Sequence, residues 1–334
     1  MRQIGICLLC LLWVMVSTPL LFAGEAGQSK SSQASGKDWR SQFDLAALKK
    51  VDVDAMVRNG GALEKSDYSL LIREADEHIT DIRARKGYTE ADLDLLTSSW
   101  VRTKEAIALL REGRPLRPIK MVARAERDGV RDFGDTRVFK GDAKRAVNIL
   151  CEIGLKDSAD GKSWSEAWGY LDRIPTVLGN APDGDIVLRA DIVLGVNTHS
   201  DLGYNQIYNA RNIQRYTERR LGDGDYVVIQ DMIRDDSVGA PPRGPRFSKR
   251  GPKPYHPVKE WIPITVVHGN GDGTFTLGYF VSAHGQELKP ISGTVDFLAN
   301  LFRVDVEKIM RKDTIKSREK WNSLFQQAVL APAP

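Results

Sequence analysis

Residues 261–281 read WIPITVVHGNGDGTFTLGYFV and contain the clearest local fold signal in the chain. Two runs rich in β-branched and aromatic residues flank a turn, His268–Gly273, in which glycine alternates with Asn and Asp. These residues supply the positive-φ positions of a tight turn, so the pattern predicts a β-hairpin with strands at Trp261–Val267 and Thr274–Val281. Pro263 has no amide hydrogen, which predicts that its strand lies at the edge of a sheet.

The surrounding residues 181–290 predict a β-rich domain. Ile186–Val196 is rich in Ile, Val and Leu, and Tyr226–Ile229 follows an Asp-Gly turn. Both runs are typical of strands. Together with the hairpin they predict a small twisted sheet or a partly open barrel.

Residues 205–221 are predicted to form a helix that interrupts these strands and ends at Gly222. In a helix this segment would carry a basic stripe at i, i+4 and i+8, which is either a solvated face or an extension of the basic surface at 241–259. The stripe consists of Arg211, Arg215 and Arg219.

Helical patterns dominate the rest of the chain, which predicts an α+β fold. Residues 38–180 are predicted to be mainly helical, with an antiparallel helical hairpin over 66–112 and a helix over Asp142–Ile153. Residues 291–328 are predicted to be a C-terminal helical segment. Cys151 falls on the apolar face of its helix, which indicates a buried structural thiol.

The first 23 residues predict a secretory signal. Arg2 precedes an uncharged, apolar run from Ile4 to Phe22, and small residues follow. This order is typical of a signal peptide cleaved after Ala23 or Ala26, although an uncleaved anchor has a similar composition. Residues 24–37 are small and polar and are predicted to be a flexible linker. We therefore expect a periplasmic or extracellular protein without a transmembrane segment after signal removal.

Composition adds few constraints. The net charge is +4, which by itself does not imply a polyanionic partner. Two of the three cysteines lie in the predicted signal, so no disulfide is expected within the remaining chain. No cofactor or metal is expected, because the chain has no H-E-x-x-H, G-x-S-x-G or phosphate-cradling motif.

Four loop residues are the candidates for a catalytic site. The two strands of the hairpin are flanked by histidines, and an H-x-D pair follows the strand at 186–196. Brought together, these side chains would suit a zinc ion or a general base oriented by a carboxylate. The alternative is that they are ordinary polar loop residues. The candidates are His199, Asp201, His268 and His284.

The most unusual segment is a basic, proline-rich loop at 241–259, PPRGPRFSKRGPKPYHPVK. Proline favours an extended chain from which the charges project, as in a docking segment for an anionic envelope polymer or lipid surface. Export argues against nucleic acid. The alternative is a solvated loop paired with nearby aspartates. The candidate binding residues are Arg243, Arg246, Lys249, Arg250 and Lys253.

Residues 292–313, SGTVDFLANLFRVDVEKIMRKD, resemble the front half of a LysM module. The resemblance covers the Gly293-Thr294-Val295 turn and the apolar positions that follow. It implies two short helices and binding to a glycan that contains N-acetylglucosamine, such as peptidoglycan. The closing strand of the module has no counterpart here.

These features predict an exported cell-envelope protein with a non-catalytic binding or assembly role at the wall or membrane surface. An envelope protein complex is the other expected kind of partner. The alternatives are an envelope hydrolase that uses the His/Asp site, and a subunit of a secretion or surface-appendage machine. The sequence leaves open whether the protein is an enzyme, but it favours a non-enzyme.

Overall fold

A nine-stranded sheet is the centre of the fold in the computed structural model. The structure describes residues 45–59, 64–125, 130–156, 158–159, 162–163, 171–181, 184–197, 204–237, 258–285 and 306–332. The strands of the sheet are β1 (Glu64–Lys65), β2 (Ile119–Ala125), β3 (Val130–Lys140), β6 (Leu171–Asn180), β7 (Ile186–Asn197), β8 (Tyr204–Arg220), β9 (Asp225–Asp235), β10 (Val258–Gly269) and β11 (Thr274–Gly285). Two short strands, β4 (Ser158–Ala159) and β5 (Lys162–Ser163), pair separately.

The main path of the sheet runs β2-β3-β11-β10-β9-β8-β7-β6, and every neighbouring pair on it is antiparallel. The short strand β1 pairs in parallel with the end of β8. Strands from 38–180 and from 181–290 therefore belong to the same sheet. Because β2 and β6 are edge strands, the sheet is open and does not close into a barrel.

Helices cover both faces of the sheet. Each of the first three helices begins at an N-cap residue whose side chain accepts a backbone N–H of the first turn. These residues are Asp52, Asp67 and Thr89. Thr89 and Asp92 form a capping box. The helices are α1 (Val53–Arg58), α2 (Tyr68–Arg83), α3 (Glu90–Arg111), α4 (Ala143–Lys156) and α5 (Val306–Leu330).

The α2–α3 hairpin packs on one face of the sheet, which we call the α3 face. Leu96, Trp100 and Ile107 are buried there against strands β10 and β11. The hydroxyl of Ser282 accepts a hydrogen bond from the Ser99 amide at 3.0 Å and donates one to the Leu95 carbonyl at 2.8 Å. These bonds join the middle of α3 directly to β11.

The opposite face is covered by α4 and α5, and we call it the α4 face. Its core is the larger of the two and combines aliphatic side chains of β7 with aromatic side chains of β3, β11 and α5. Phe139 and Phe275 stack with ring centroids 5.4 Å apart, and Phe325 of α5 meets both rings edge-on. Both faces of the sheet are therefore buried, which leaves its strands without a simple apolar–polar alternation.

Several predictions of local structure are confirmed. The fold is α+β, the helical hairpin is α2–α3, and the β-hairpin is β10–β11. The helix predicted over Asp142–Ile153 is α4, and Cys151 is buried on it.

Two local predictions are wrong. Residues 205–221 form the long strand β8 rather than a helix. Pro263 does not mark an edge strand, because β10 lies between β9 and β11. The pairing of β10 with β9 covers only Ile264–His268, so the missing amide of Pro263 falls beyond that pairing.

Other predictions lie outside the described residues. These include the signal at 1–23, the linker at 24–37 and nearly all of the basic loop at 241–259, so they stay predictions. The LysM-like segment is described only from Val306, where α5 begins and continues past Asp313 to Leu330. None of the described helices combines the length and the apolar composition that crossing a membrane requires.

Candidate ligand-binding site

Strand β8 places a row of polar side chains on the α4 face, inside the core. Alternate residues of a strand point to the same face, so its even-numbered residues lie together. We call Asn212, Gln214, Tyr216 and Glu218 the β8 polar row. All four side chains are buried, and Glu218 is 4% exposed. Buried polar side chains need hydrogen-bond partners, so the groups that surround these four residues define the site.

Helix α4 lies directly over the row because Gly154 allows a close approach. A Cβ at residue 154 would lie 2.3 Å from Cε2 of Tyr216. Arg173 of β6 holds the same end of α4, donating Nη1–H bonds to the carbonyl oxygens of Gly154 at 2.9 Å and Ile153 at 3.2 Å. These carbonyls belong to the last turn of the helix, where the helix dipole favours a cation.

Hydrogen bonds continue from Arg173 into the row. Its Nη2 donates to Oε1 of Gln214 at 3.1 Å, and Nε2 of Gln214 donates to Oδ1 of Asn212 at 2.9 Å. The amide nitrogen of Asn212 has no hydrogen-bond partner among the described residues. This half of the row is therefore rich in donors and lies beside the Arg173 guanidinium.

Glu218 forms the acidic end of the row. Its Oε1 accepts a hydrogen bond from the hydroxyl of Tyr216, and the thiol of Cys151 on α4 is also hydrogen-bonded to the carboxyl group. Burial raises the pKa of Glu218 to about 7, and only these two hydrogen bonds oppose the rise. In the described part of the chain, Oε2 of Glu218 has no hydrogen-bond partner.

The two donors to Glu218 remain protonated. Burial raises the pKa of the Cys151 thiol, and the nearby Glu218 carboxyl raises it further. The pKa of Tyr216 is raised for the same two reasons. Cys151 is therefore a poor nucleophile, since the thiolate is the reactive form. We assign it a role in positioning Glu218.

A second polar cluster lies at the other end of the same layer, around Arg318 of α5. Its Nε donates to Oδ1 of Asp135 at 3.0 Å, and its Cζ lies 4.2 Å from the ring centroid of Tyr279 and 4.3 Å from that of Trp321. Asn322 donates to the other oxygen of Asp135 at 3.1 Å. Burial lowers the pKa of Arg318, and the Asp135 carboxylate opposes that shift. We call these five residues the Arg318 cluster.

The sheet register relates the two clusters. Asp135 lies opposite Tyr279, Tyr279 opposite Thr265, Thr265 opposite Val228, and Val228 opposite Glu218. The five residues form one line across five strands. Four strand spacings separate its ends, so Asp135 and Glu218 are about 19 Å apart. Polar groups therefore flank an apolar stretch of roughly the length of a small amphipathic molecule.

Each cluster contains buried polar atoms that have no hydrogen-bond partner in the described ranges. They are Nδ2 of Asn212, Oε2 of Glu218, Nη2 of Arg318 and Oδ1 of Asn322. Each such atom costs about 1–3 kcal/mol if it stays unsatisfied. On the α3 face, the Ser99 hydroxyl and the Trp100 indole N–H are buried without a hydrogen-bond partner in the described ranges.

The structure separates the histidines of the predicted catalytic site. On β11, Thr276 lies opposite His268, and His284 lies opposite Glu260 eight residues further along. Eight residues of strand span about 27 Å, so His268 and His284 do not share a site. His199 and Asp201 lie outside the described residues, as do Arg243, Arg246, Lys249, Arg250 and Lys253. No group of three or more His, Cys, Asp or Glu side chains in the described ranges is arranged to hold a metal ion.

His268 does have a carboxylate partner, but the partner is Asp225. The His268 Nδ1 lies 2.6 Å from Oδ1 of Asp225, and the hydroxyl of Tyr68 donates to Oδ2 at 2.6 Å. At the other end of the strands, Nδ1 of His284 lies 2.9 Å from the hydroxyl of Tyr88. Both histidines lie on the α3 face, away from the β8 polar row, and tie the helical hairpin to the sheet.

Comparison with known proteins finds no matching family model and no matching curated protein. Solved structures with some similarity include the human StAR-related lipid transfer protein 5, at 13% identity and a TM-score of 0.35, over 69% of this chain and 95% of that one. A STAR-related lipid transfer protein from Xanthomonas axonopodis has 13% identity and a TM-score of 0.35, over 62% and 99%. The di-domain ARO/CYC protein StfQ of the steffimycin pathway has 14% identity and a TM-score of 0.31, over 71% and 60%. Scores this low assign neither a family nor a ligand to this chain.

The predicted binding or assembly role at the wall or membrane surface is wrong, and so are the hydrolase and machine-subunit alternatives. The unusual polar groups of the described chain lie in its interior. His268 and His284 of the predicted His/Asp site lie at opposite ends of their strands. Sequence reasoning missed the β8 polar row, because the arginines that alternate with it suggested an exposed surface.

Proposed function

We propose that this chain binds a small, largely apolar molecule between the sheet and helices α4 and α5, with a polar group of that molecule held at the β8 polar row. The observation that carries the proposal is Glu218. It is a buried carboxyl group on a core-facing strand position, and one of its oxygens has no partner among the described residues. A carboxyl group with a pKa raised by burial is a feature of functional sites.

The composition of the layer supports an apolar ligand body. Between the two polar clusters, the central positions are Thr265 and Val228, and aliphatic side chains of β7 such as Leu188 line the same core. Small-molecule sites are mostly apolar, with few polar groups that fix the orientation of the ligand. The β8 polar row and the Arg318 cluster provide such groups at two ends.

Binding and its location are tested together. The full chain is titrated calorimetrically with dodecanol, dodecylamine and dodecanoate below their aggregation concentrations. We expect saturable binding of at least one of them near one molecule per chain. Hydrogen exchange with the bound ligand should show added protection in β8 and α4 and none in α2. Absence of binding by all three ligands, or protection confined to the α2–α3 hairpin, would overturn the proposal.

Export stays a separate proposal, supported by the charge and apolar pattern of residues 1–23. N-terminal sequencing of the protein from the producing cells tests it. The mature chain should begin at Gly24 or Gly27, and retention of Met1 would contradict export by cleavage.

A further inference from the structure

We infer that Glu218 receives the ammonium group of an aliphatic amine, so that the ligand of the proposed site is an amphipathic primary amine. The inference rests on the proposed function and specifies the chemical class of the ligand. It follows from the ion pairs of the other buried carboxylates, from the hydrogen bonds around Glu218, and from the uncharged side chains next to it.

Six of the eight other buried carboxylates in the described chain are paired with a basic side chain of the protein itself. Six such pairs are Asp132–Arg102, Asp135–Arg318, Asp185–Arg219, Asp191–Arg211, Asp225–His268 and Glu260–Arg85. Glu218 has no such partner in the described ranges, and no charged group contributes to its pKa. A buried carboxylate is costly without a cation, so the missing cation is expected to come from a bound molecule.

The geometry leaves one oxygen for that molecule. The Tyr216 hydroxyl donates to Oε1 of Glu218, and the Cys151 thiol lies within hydrogen-bonding reach of both side chains. They hold the carboxyl group in one orientation, and Oε2 is left as an acceptor. An ammonium group is a compact cation with three donors, and a charge-assisted hydrogen bond to Oε2 would be stronger than one from a neutral hydroxyl.

The surroundings favour an organic amine over a metal ion. A metal ion requires several ligands, and no suitable group of acidic, His or Cys side chains exists among the described residues. Val228 lies directly opposite Glu218, and Ile186 lies opposite Tyr216. These aliphatic side chains suit the hydrocarbon part of the ligand.

The inference predicts a specific pH dependence. Above pH 7 Glu218 is ionised and pairs with the ammonium group, whereas below pH 7 it is protonated and does not. The groups that face it are Tyr216 on β8 and Cys151 on α4, and both stay neutral in this range because their pKa values are raised. Arg173 of β6 is directed at Gln214 and the end of α4. The affinity for the amine should therefore follow the ionisation of the Glu218 carboxyl group.

The experiment compares dodecylamine, dodecanol and dodecanoate by calorimetry with the full chain at pH 8.5. We expect dodecylamine to bind at least tenfold more tightly than dodecanol. Glu218→Gln should reduce the ratio of dodecylamine affinity to dodecanol affinity at least tenfold. Glu77→Gln, the same chemical change at an exposed position of α2, should leave this ratio unchanged. If the Gln variant does not fold, the wild-type chain provides the test: amine affinity should fall up to tenfold per pH unit below about pH 7, relative to dodecanol.

The outcomes separate the two proposals. If dodecanol or dodecanoate binds as tightly as dodecylamine, or if amine binding is insensitive to Glu218→Gln and to pH, the amine inference is overturned and the proposed function stands. If none of the three ligands binds, both are overturned.

Discussion

The hydroxyl of Tyr216 donates a hydrogen bond to Oε1 of Glu218, two residues further along the buried face of β8. Two neighbours on one strand thus provide their own donor–acceptor pair inside the core. The bond stabilises the carboxylate, but burial is the larger effect, and the pKa of Glu218 is raised to about 7. The folded protein therefore holds a proton on Glu218 that the unfolded chain releases near pH 4.5.

Replacing Glu218 with Gln should change how stability depends on pH. Between pH 4.5 and 7 the unfolded chain binds fewer protons at this residue than the folded protein does, so the contribution of Glu218 to stability falls as the pH rises. The fall is about 1.4 kcal/mol per pH unit, or about 3 kcal/mol in total. Urea unfolding at pH 4.5, 6 and 8 measures it. The difference between wild type and Glu218→Gln should shift in favour of the variant, and parallel profiles would contradict the assignment.

Breaking the ion pair between Asp135 and Arg318 from one side should be strongly destabilising. Asp135→Leu leaves a buried guanidinium without its carboxylate and should cost about 3–5 kcal/mol. The double variant Asp135→Leu/Arg318→Met should be more stable than the single variant, because the fully buried guanidinium is removed and Arg137, the other partner of Asp135, keeps its ion pair with Glu319. Urea unfolding tests both. Glu319→Gln is the control, since Glu319 is an exposed partner of Arg137 and its loss should cost under about 1 kcal/mol.

Gly154→Ala should destabilise the protein even though Ala is the better helix former. Ala gains about 1 kcal/mol within a helix. Its Cβ would lie 2.3 Å from Cε2 of the buried Tyr216, and overpacking of this kind costs about 1–3 kcal/mol. The net loss is measured by thermal unfolding. Gly285→Ala, where a Cβ would meet nothing within 4 Å, should be close to neutral. An equal effect at both positions would show that α4 does not approach β8 as described.

The thiol of Cys151 should be unreactive in the folded protein. It is fully buried and its pKa is raised, so almost no accessible thiolate exists at neutral pH. In a Cys7→Ser/Cys10→Ser chain, labelling with a disulfide reagent should be at least a hundredfold slower without urea than in 6 M urea, about the protection that a stable core provides. Rapid labelling of the folded chain would show that α4 opens readily.

Local signals were sufficient for the elements that depend on neighbouring residues. Capping residues and a helical apolar period predicted the α2–α3 hairpin, and alternating glycines predicted the β10–β11 turn. The arginine spacing could not distinguish strand β8 from the predicted helix, because residues at i, i+4 and i+8 share one side in both. Arg211, Arg215 and Arg219 do share a side, which is the α3 face of the sheet.

The candidate site depended on information that spacing alone does not contain. Both faces of β8 are polar, so no alternation distinguished the buried row from the surface. Glu218 stands beside Arg219 and Arg220 in sequence, and only the position of α4 makes it a core residue without a cation. The partner of His268 is Asp225 because the β9–β10 register places them opposite each other. That register is decided by long-range pairing rather than by residues near His268.

Helix α5 brings Trp321, Phe325 and Val329 into the same core as Phe139 and Phe275. The interior is thus completed by a helix that is synthesised after every strand of the sheet. Until α5 has left the ribosome, the apolar surface of β3 and β11 lacks its cover, so native packing on this face follows the synthesis of α5.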